Sequence, residues 1–455
     1  MEQNTLEIGD GLEAQVNGAT VMLAIDGLAV DRVEVAEDDT RVLHVSTCDP
    51  TARACPECGV FSTAHKDVVD TSPKDIRYGN RMSLAWHKHR WRCNESRCPR
   101  KTFTESLPAI PARARCTTRL KDQMGEAVAE QGRCVEEVAR YHGVSWHTAH
   151  DAFTAWVKPA LAAPLPKVKV LGMDEVRRGK AIWRKNLLTD KWELVEEVFH
   201  TGFVDAAGSA GLLGHASGRT AAAVAQWLHE QPQAWRKAIT HVTIDLSASY
   251  AKAAREALPK AQLVADKFHV VKLGNDMVTK VRQRATQRHL GRRGGKNDYV
   301  WRARRKLLTG REHLKPEALE SMLERLTNEG ELGAQVVTAW RIKEALRDLL
   351  ALSTRHPVRS EISQRLTRFY SLVADTEIPE AHKLAKTIEK WWPAIEAAIT
   401  TGFSNARSEG YNRVAKTVAR NAYGFRNPTN HRRRVRWACT RQHRRKTGMI
   451  TRLPY

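Results

Sequence analysis

Three carboxylates and four thiols are the residues of this chain whose types and spacing can do chemistry. Asp174 closes the apolar run "VKVLGM" and Asp245 closes "ITHVTI", so each is read as the end of a strand. In a mixed sheet whose first and fourth strands are neighbours, the two acids stand side by side and repel each other unless a cation sits between them. Mg²⁺ or Mn²⁺, hard ions that take oxygen ligands, suit such a pair. A third acid completes a two-metal site for in-line displacement at phosphorus. Glu409 in "SNARSEGYNRVAK" is the best placed, because Asn405, Glu409, Asn412 and Lys416 fall on one polar stripe of a helix. An isolated strand-end aspartate is ordinarily a solvated charge or a cap; three acids in this order around alternating strands and helices point to metal chemistry on phosphate.

The thiols lie in "CPEC" and "CNESRC". Cys55 with Cys58, and Cys93 with Cys98, form two short-range pairs, each able to present two thiolates to one tetrahedral Zn²⁺. Cys48, Cys116, Cys134 and Cys439 have no such partners, and in a reducing cytosol the pattern favours a metal over disulfides. A strand through "SLAWHKHRWRC" delivers Cys93 and turns Lys88, Arg90 and Arg92 to its opposite face. His87 and His89 are alternative ligands, though histidines on an exposed basic strand more often meet solvent or DNA. The plain alternative for the module is a structural clip, which is compatible with DNA binding because the ion orders the surface that carries the charges.

Lysine and arginine outnumber aspartate and glutamate by 74 to 51, a formal net charge of +23, so a large polyanion is the natural partner. Nucleic acid fits better than acidic lipid, since no Lys-rich amphipathic anchor with bulky apolar residues stands out. No window approaches about eighteen uninterrupted apolar residues, and "MEQNTLEIGDGLEAQ" has no apolar signal core, which predicts a cytoplasmic protein without a membrane partner.

The segment "CVEEVARYHGVSWHTAHDAFTAW" has the pattern of a helix-turn-helix. Val135, Val138 and Ala139 face inward on the first helix, "HGVS" makes the turn, and Val144, Ala149, Phe153 and Trp156 anchor the second. Ser145 caps that second helix and leaves Trp146, His147 and His150 for contacts in a DNA groove. In "ADKFHVVK", His269 and Lys272 follow Asp266 and are read as phosphate contacts or support for the acids, against a helix cap and a solvated face. Asn405, Asn412 and Lys416 suit a DNA backbone beside the metal. Arg432, Arg433 and Arg434, with Arg436, are read as tracking phosphate, a contribution that salt weakens steeply. Trp391 and Trp392 either stack unpaired bases or, the commoner fate of helical tryptophans, pack in a core.

These residues need elements to hold them. Residues 1–50 are read as short strands, including "TVMLAIDGLAV" and "RVLHVST"; 51–112 as a zinc-binding domain; 113–160 as the helix-turn-helix, followed by a linker in "KPALAAPLPKVK". Residues 168–275 with 400–425 form a mixed α/β catalytic domain in the order three strands, helix, strand, helix, strand, helix. "AIWRKNLLT" and "KWELVEEVFHTG" supply its second and third strands. Residues 276–399 are a large α-helical insertion with a flexible tip at "GRRGGKND", and 426–455 a basic carboxyl-terminal tail. The fold class is multidomain α+β.

Taken together, "CPECG", "RCNESRCPRKTFTE", "LGMDEV", "IDLSASYAKAAREALPKAQLVADKFHVVK" and "NARSEGYNRVAK" followed by "YGFRN" resemble the bacterial insertion-sequence transposases of the ISL-three family, from about residue 25 to 440. That family is a branch of the DDE transposases, whose catalytic domain has a ribonuclease-H-like fold. The resemblance implies Asp174, Asp245 and Glu409 as a catalytic triad, and Cys55, Cys58, Cys93 and Cys98 as ligands of a structural zinc. It further implies binding of double-stranded DNA at terminal inverted repeats, cleavage that frees a 3′-hydroxyl, and attack of that hydroxyl on target DNA. The working form is then a homodimer or higher synaptic assembly at the bacterial nucleoid. The continuation "EVRRGKAIW" and the strongly basic tail depart from the family pattern. A catalytically inactive repressor derived from a transposase, or a metal-dependent nuclease on the same fold, are the rival readings. An intact triad argues against the first, and two end-recognition modules against the second.

Overall fold

The computed structural model describes residues 17–77, 82–177, 182–196, 198–355 and 357–448. The amino-terminal stretch read above for a signal core lies outside them, as does the centre of "EVRRGKAIW". The chain divides into two compact units, Met1–Ala162 with Arg420–Phe425, and Ala163–Ala419 with Arg426–Tyr455. Among the described residues no helix is long and apolar enough to cross a membrane.

The first unit carries strands β1 (Leu28–Val35), β2 (Arg41–Thr47), β3 (His65–Thr71), β4 (Met82–Arg92) and β5 (Thr102–Thr104). They form one sheet in the order β1-β2-β4-β3, with β5 also paired to β4. "RVLHVST" is β2, but "TVML", expected as strand, lies in the helix Gly18–Leu23. Asn17 decides this: its side chain accepts a hydrogen bond from Thr20 N at 2.8 Å, satisfying a free amide of the first turn, and donates to the Val30 carbonyl at 2.7 Å. Strand β4 serves two cores. Leu84 and Trp86 are buried with Val45 and Leu28, whereas Trp91, of opposite parity, is buried among Cys55, Cys98 and Phe103.

Three helices complete this unit, Thr118–Ala129, Val135–His142 and Trp146–Ala162. A Cβ on Gly125 would stand 2.7 Å from Trp156 Cβ and 2.9 Å from the Ala152 carbonyl oxygen, so only glycine lets the first and third helices approach this closely. The third helix runs through Pro159 to Ala162. Half of the stretch expected as linker is therefore its last turn, and only residues 163–169 are free of helix.

The second unit contains β6 (Val170–Arg177), β7 (Ile182–Lys185), β8 (Trp192–Glu196), β9 (Phe199–Asp205), β10 (Leu212–Ser217), β11 (His241–Ile244) and β12 (Gln262–Ala265). The main sheet has the order β10-β9-β6-β11-β12, with β9 antiparallel to β6 and β10 and with β6, β11 and β12 parallel. The first and fourth strands of this sheet are neighbours, as expected, but the second and third are β9 and β10. "AIWRKNLLT" and the first half of "KWELVEEVFHTG" pair with each other as β7 and β8 in a separate two-stranded sheet, while the second half, from Phe199, opens β9 of the main sheet. Trp183, Trp192 and Leu194 remain exposed there. Phe203, Leu171, Met173 and Ile244 of the main sheet pack against Val224 and Leu228 of the helix Ala221–His229 and Tyr250 of the helix Ala248–Ala257.

After β12, helices from Lys267–Leu290 to Pro379–Thr401 bury their own core around Met277, Val281, Val336, Leu349 and Ile388, and Trp391 and Trp392 pack against it. Helix Ala406–Asn421 then returns to the sheet. The segment expected as a basic tail forms the helix Pro428–Cys439, which buries Val435 and Cys439 with Val204, Leu212 and Ala415. Its arginines are spaced so that apolar residues still fall on one face.

Candidate metal centres and DNA-contacting residues

Register brings the acids together. Thr243 of β11 lies opposite Gly172 of β6 on one side and Val264 of β12 on the other. Two residues beyond these, of the same parity on their strands, come Asp174, Asp245 and Asp266, and the Asp266 amide donates to the Ile244 carbonyl at 2.8 Å, which continues the β11–β12 pairing to Asp266. Asp245 and Asp266 directly follow the last residues of β11 and β12. Asp174, expected at a strand end, is instead inside β6, because β9 stays paired with β6 as far as Arg177 after β11 has stopped.

The helix Ala406–Asn421 brings Glu409 to this row. Asn405, which precedes the helix, is 1% exposed. Its Nδ2 donates to the Met173 carbonyl at 3.1 Å, and its Oδ1 accepts from Ser408 Oγ at 2.6 Å and Thr243 Oγ1 at 3.2 Å. Asn412, two turns on, donates from Nδ2 to Asp174 Oδ2 at 2.8 Å. The two carboxamides expected on a DNA backbone are therefore latches between helix and sheet, and Asn405 is too deeply buried to reach DNA. Gly172 makes the fit possible: a Cβ there would lie 2.8 Å from Ser408 Oγ and 2.9 Å from Asn405 Oδ1. Lys416, further along the stripe, is exposed, as is Lys272.

Clustered acids disfavour ionisation of one another. Burial, with the charges of Asp245 and Glu409, pushes the Asp174 carboxyl up to about 6, against the opposing Glu175 amide and His269. Burial also raises Asp245, together with the charges of Glu175 and Asp266, while His269 lowers it. Asp245 Oδ1 is buried without a hydrogen-bond partner among the described residues. The ligand atoms of Asp266, His269 and Glu409 lie within 4.8 Å of one another, with Asp266 only 4% exposed. Glu409 is thus grouped with Asp266 and His269, while Asp174 and Asp245, the other two acids of the expected triad, lie outside that group, and Glu409 acts on Asp174 through its charge. Two raised carboxyls, one of which keeps a buried oxygen without a partner among the described residues, are donors suited to a hard divalent cation. Asp266 was legible in the sequence as the end of a third apolar run; its place in the row needed the register. His269, expected on phosphate, faces the acids.

The four cysteines converge in the first unit. Cys55 and Cys98 Sγ are 3.9 Å apart, Cys58 and Cys93 Sγ 3.5 Å, and all four lie within 4.8 Å of one another. Sulfurs around one zinc at 2.3 Å bonds stand about 3.8 Å apart, whereas a disulfide needs about 2.05 Å. Gly59, at φ +74°, donates its amide to the Cys55 carbonyl at 2.8 Å and turns the chain back for Cys58 and its neighbours. His87 and His89 stay outside this group; His87 Nδ1 lies 2.7 Å from Asp70 Oδ1. On β4, Lys88 Nζ sits 4.4 Å over the Trp86 ring, Arg90 pairs with Asp67 at 3.3 Å, and Arg92 is exposed.

The helix-turn-helix forms around Gly143, left-handed at φ 62°, whose successor Val144 donates to the Ala139 carbonyl at 2.9 Å. Ser145 Oγ accepts from Thr148 N at 3.2 Å, the cap expected of it. Val135, Val138, Ala139, Ala149 and Phe153 are buried. Trp146 is 40% exposed and stacks on His150 with ring centroids 4.7 Å apart, beside exposed His147. In the second unit Arg432 donates to Ser217 Oγ at 2.7 Å, Arg433 to Asn430 Oδ1 at 3.1 Å, and Arg434 is buried.

Residues 171–435, more than half of the chain, match an ISL3 family described as "Transposase", and residues 105–157 match the helix-turn-helix domain of transposase family ISL3. The transposase for insertion sequence element IS1001 of Bordetella parapertussis is 24% identical over 409 residues, covering 88% of this chain and 92% of that protein. The transposase for insertion sequence element IS1557 of Mycobacterium tuberculosis is 30% identical over 206 residues, 42% of this chain and 45% of that protein. Among solved structures, the Drosophila P element transposase strand transfer complex aligns over 70% of this chain and 92% of that one, with a TM-score of 0.38 and 10% identity, too distant to establish a shared fold. By the family matches over both its helix-turn-helix and its acid-bearing unit, this chain belongs to transposase family ISL3.

Proposed function

We propose that the second unit cuts and joins DNA strands at a site built on Asp174, Asp245 and Glu409, and that the first unit recognises the terminal inverted repeats. The observation that carries this reading is the row of aspartates on adjacent strands, faced by a glutamate whose helix is bonded to the same strands. The five-stranded order with only β9 reversed supports a ribonuclease-H-like catalytic domain, interrupted by the helical block 276–399.

Asp174, Asp245 and Glu409 would hold a pair of Mg²⁺ or Mn²⁺ ions, and the unpartnered Asp245 oxygen supports that assignment. Such ions, when bound, neutralise charge on the phosphate and lower the pKa of the attacking hydroxyl. The chain's own residues fix the donors: Asn412 holds one oxygen of Asp174, Asn405 holds the helix to β6 and β11, and His269 offers its ring to Asp266 and Glu409. Cleavage by water leaves a 3′-hydroxyl, and joining uses that hydroxyl against a target phosphodiester; each is one in-line displacement at phosphorus. Lys416 and Lys272, exposed on the helices that carry Glu409 and His269, suit the flanking phosphates.

Zinc on Cys55, Cys58, Cys93 and Cys98 would order the surface that carries Arg92, and Trp146 with His147 would lead the second helix of the helix-turn-helix into a groove. Two ends must be handled together, which calls for a homodimer or larger synaptic assembly, working on chromosomal DNA in the cytoplasm. The test is cleavage and joining of labelled DNA bearing the sequences that flank the gene, by wild type and Glu409→Gln. End binding should survive in the variant, while cleavage falls by about a thousandfold, equivalent to the several kcal/mol a metal site supplies. Cleavage within tenfold of wild type would remove Glu409 from the site.

A further inference from the structure

Away from the acids, the helical block carries an open cavity of about 590 Å³ beside the second half of the helix Lys267–Leu290 and the turn after it. Arg282, Arg284, Arg293 and Trp301 line it. Arg282 is nine-tenths buried, at 9% exposure, yet its guanidinium has no hydrogen bond or ion pair with any described residue. Nearby acids are engaged elsewhere: Glu380 accepts from Arg284 at 2.7 Å, and Asp298 from Arg292 at 2.7 and 2.8 Å. The hydroxyl of Thr286 donates to the Arg282 carbonyl at 2.7 Å. Arg304, which lies outside the lining with its guanidinium carbon 3.5 Å from the Trp301 ring centre and donates to the Trp301 carbonyl at 3.0 Å, adds positive charge nearby, and burial together with that charge lowers the Arg282 pKa. Arg293, exposed at the rim, is a further cation.

A guanidinium held mostly out of bulk water among like charges favours an anion that completes it. Its planar fork matches a phosphate or carboxylate face. The volume is far larger than one phosphate and is that of a small-ligand pocket, with space for an attached sugar and base.

We propose that this cavity is a phosphate site for a nucleotide, with Arg282 at its floor and Arg293 closing on the remaining oxygens. The nucleotide is either one unit of a DNA strand or free in solution; both present the same phosphate. No residue of the metal centre takes part, so the proposal stands apart from the cutting and joining reaction.

The test is the melting of the full chain, without added divalent ions, titrated with sodium phosphate against sodium chloride at equal ionic strength, for wild type, Arg282→Met and Arg293→Gln. Wild type should gain a saturable rise in Tm that Arg282→Met lacks and Arg293→Gln weakens. Deoxyadenosine triphosphate acting at a concentration at least about tenfold lower than phosphate, in wild type only, would identify a free nucleotide. A triphosphate no better than phosphate, with the salt slope of DNA binding reduced by about one in Arg282→Met, would identify a DNA phosphate. Equal phosphate responses in wild type and Arg282→Met would overturn the site. Should Arg282→Met not fold, an Arg293→Gln response equal to wild type would overturn it instead.

Discussion

Replacing Gly172 by alanine tests whether the position of the glutamate helix sets the rate of DNA cleavage. The new Cβ would meet Val204 Cγ2 at 2.7 Å, Ser408 Oγ at 2.8 Å and Asn405 Oδ1 at 2.9 Å. Ordinary contact needs about 3.5–4.0 Å, and the three neighbours are 1–2% exposed, with no space to retreat. The helix start must therefore lift by roughly 1 Å, stretching the bonds of Asn405 to Met173 and Thr243. Overpacking of this kind costs about 1–3 kcal/mol, which for a unit of this size lowers Tm by about 2–4 °C per kcal/mol. A displacement of that size at a reacting centre costs about a hundredfold in rate. Gly172→Ala should thus remain folded and bind DNA ends normally, while strand cleavage in Mg²⁺ falls by about two orders of magnitude. Ser408→Ala is the control: it removes one hydrogen bond, about 1 kcal/mol, and inserts nothing, so its rate should stay near wild type. A lowered Tm with cleavage within threefold of wild type in Gly172→Ala would refute the positional argument.

Cys58→Ser should release one equivalent of zinc per chain and weaken end binding while the second unit keeps its melting behaviour; unchanged zinc by metal analysis would exclude Cys58 as a ligand. His215 bears on acid stability. Burial, then the charges of His200, His431 and nearby arginines, pushes its folded pKa down to about 3. The unfolded chain, with histidine near 6.5, binds the proton first, so stability falls as pH drops from about 6.5 toward 3, by about 2 kcal/mol at pH 5. In His215→Gln the fall in Tm between pH 7 and pH 5 should shrink by the equivalent of that amount; an unchanged difference would show that His215 is not the group taking up the proton.

What the sequence alone determined were the features that depend on neighbours along the chain. The spacing of the cysteine pairs, the helix-turn-helix with its Ser145 cap, the apolar runs ending at Asp174, Asp245 and Asp266, and the excess of basic residues need no tertiary information. Local cues misled where tertiary packing overrode them. "TVML" reads as strand until Asn17 is bonded to Val30. The proline-bearing "KPALAA" looks like linker although the helix already running from Trp146 carries it to Ala162. Only the tertiary structure decided that Asp266 joins the row with Asp174 and Asp245, because register is a property of three strands and of none singly. It alone turned Asn405 from a surface carboxamide into a buried latch, since helical periodicity says which residues share a face and not what that face meets. The unpaired Arg282 has the same origin: a charge in the sequence is assumed solvated until the fold buries it and assigns the neighbouring acids elsewhere.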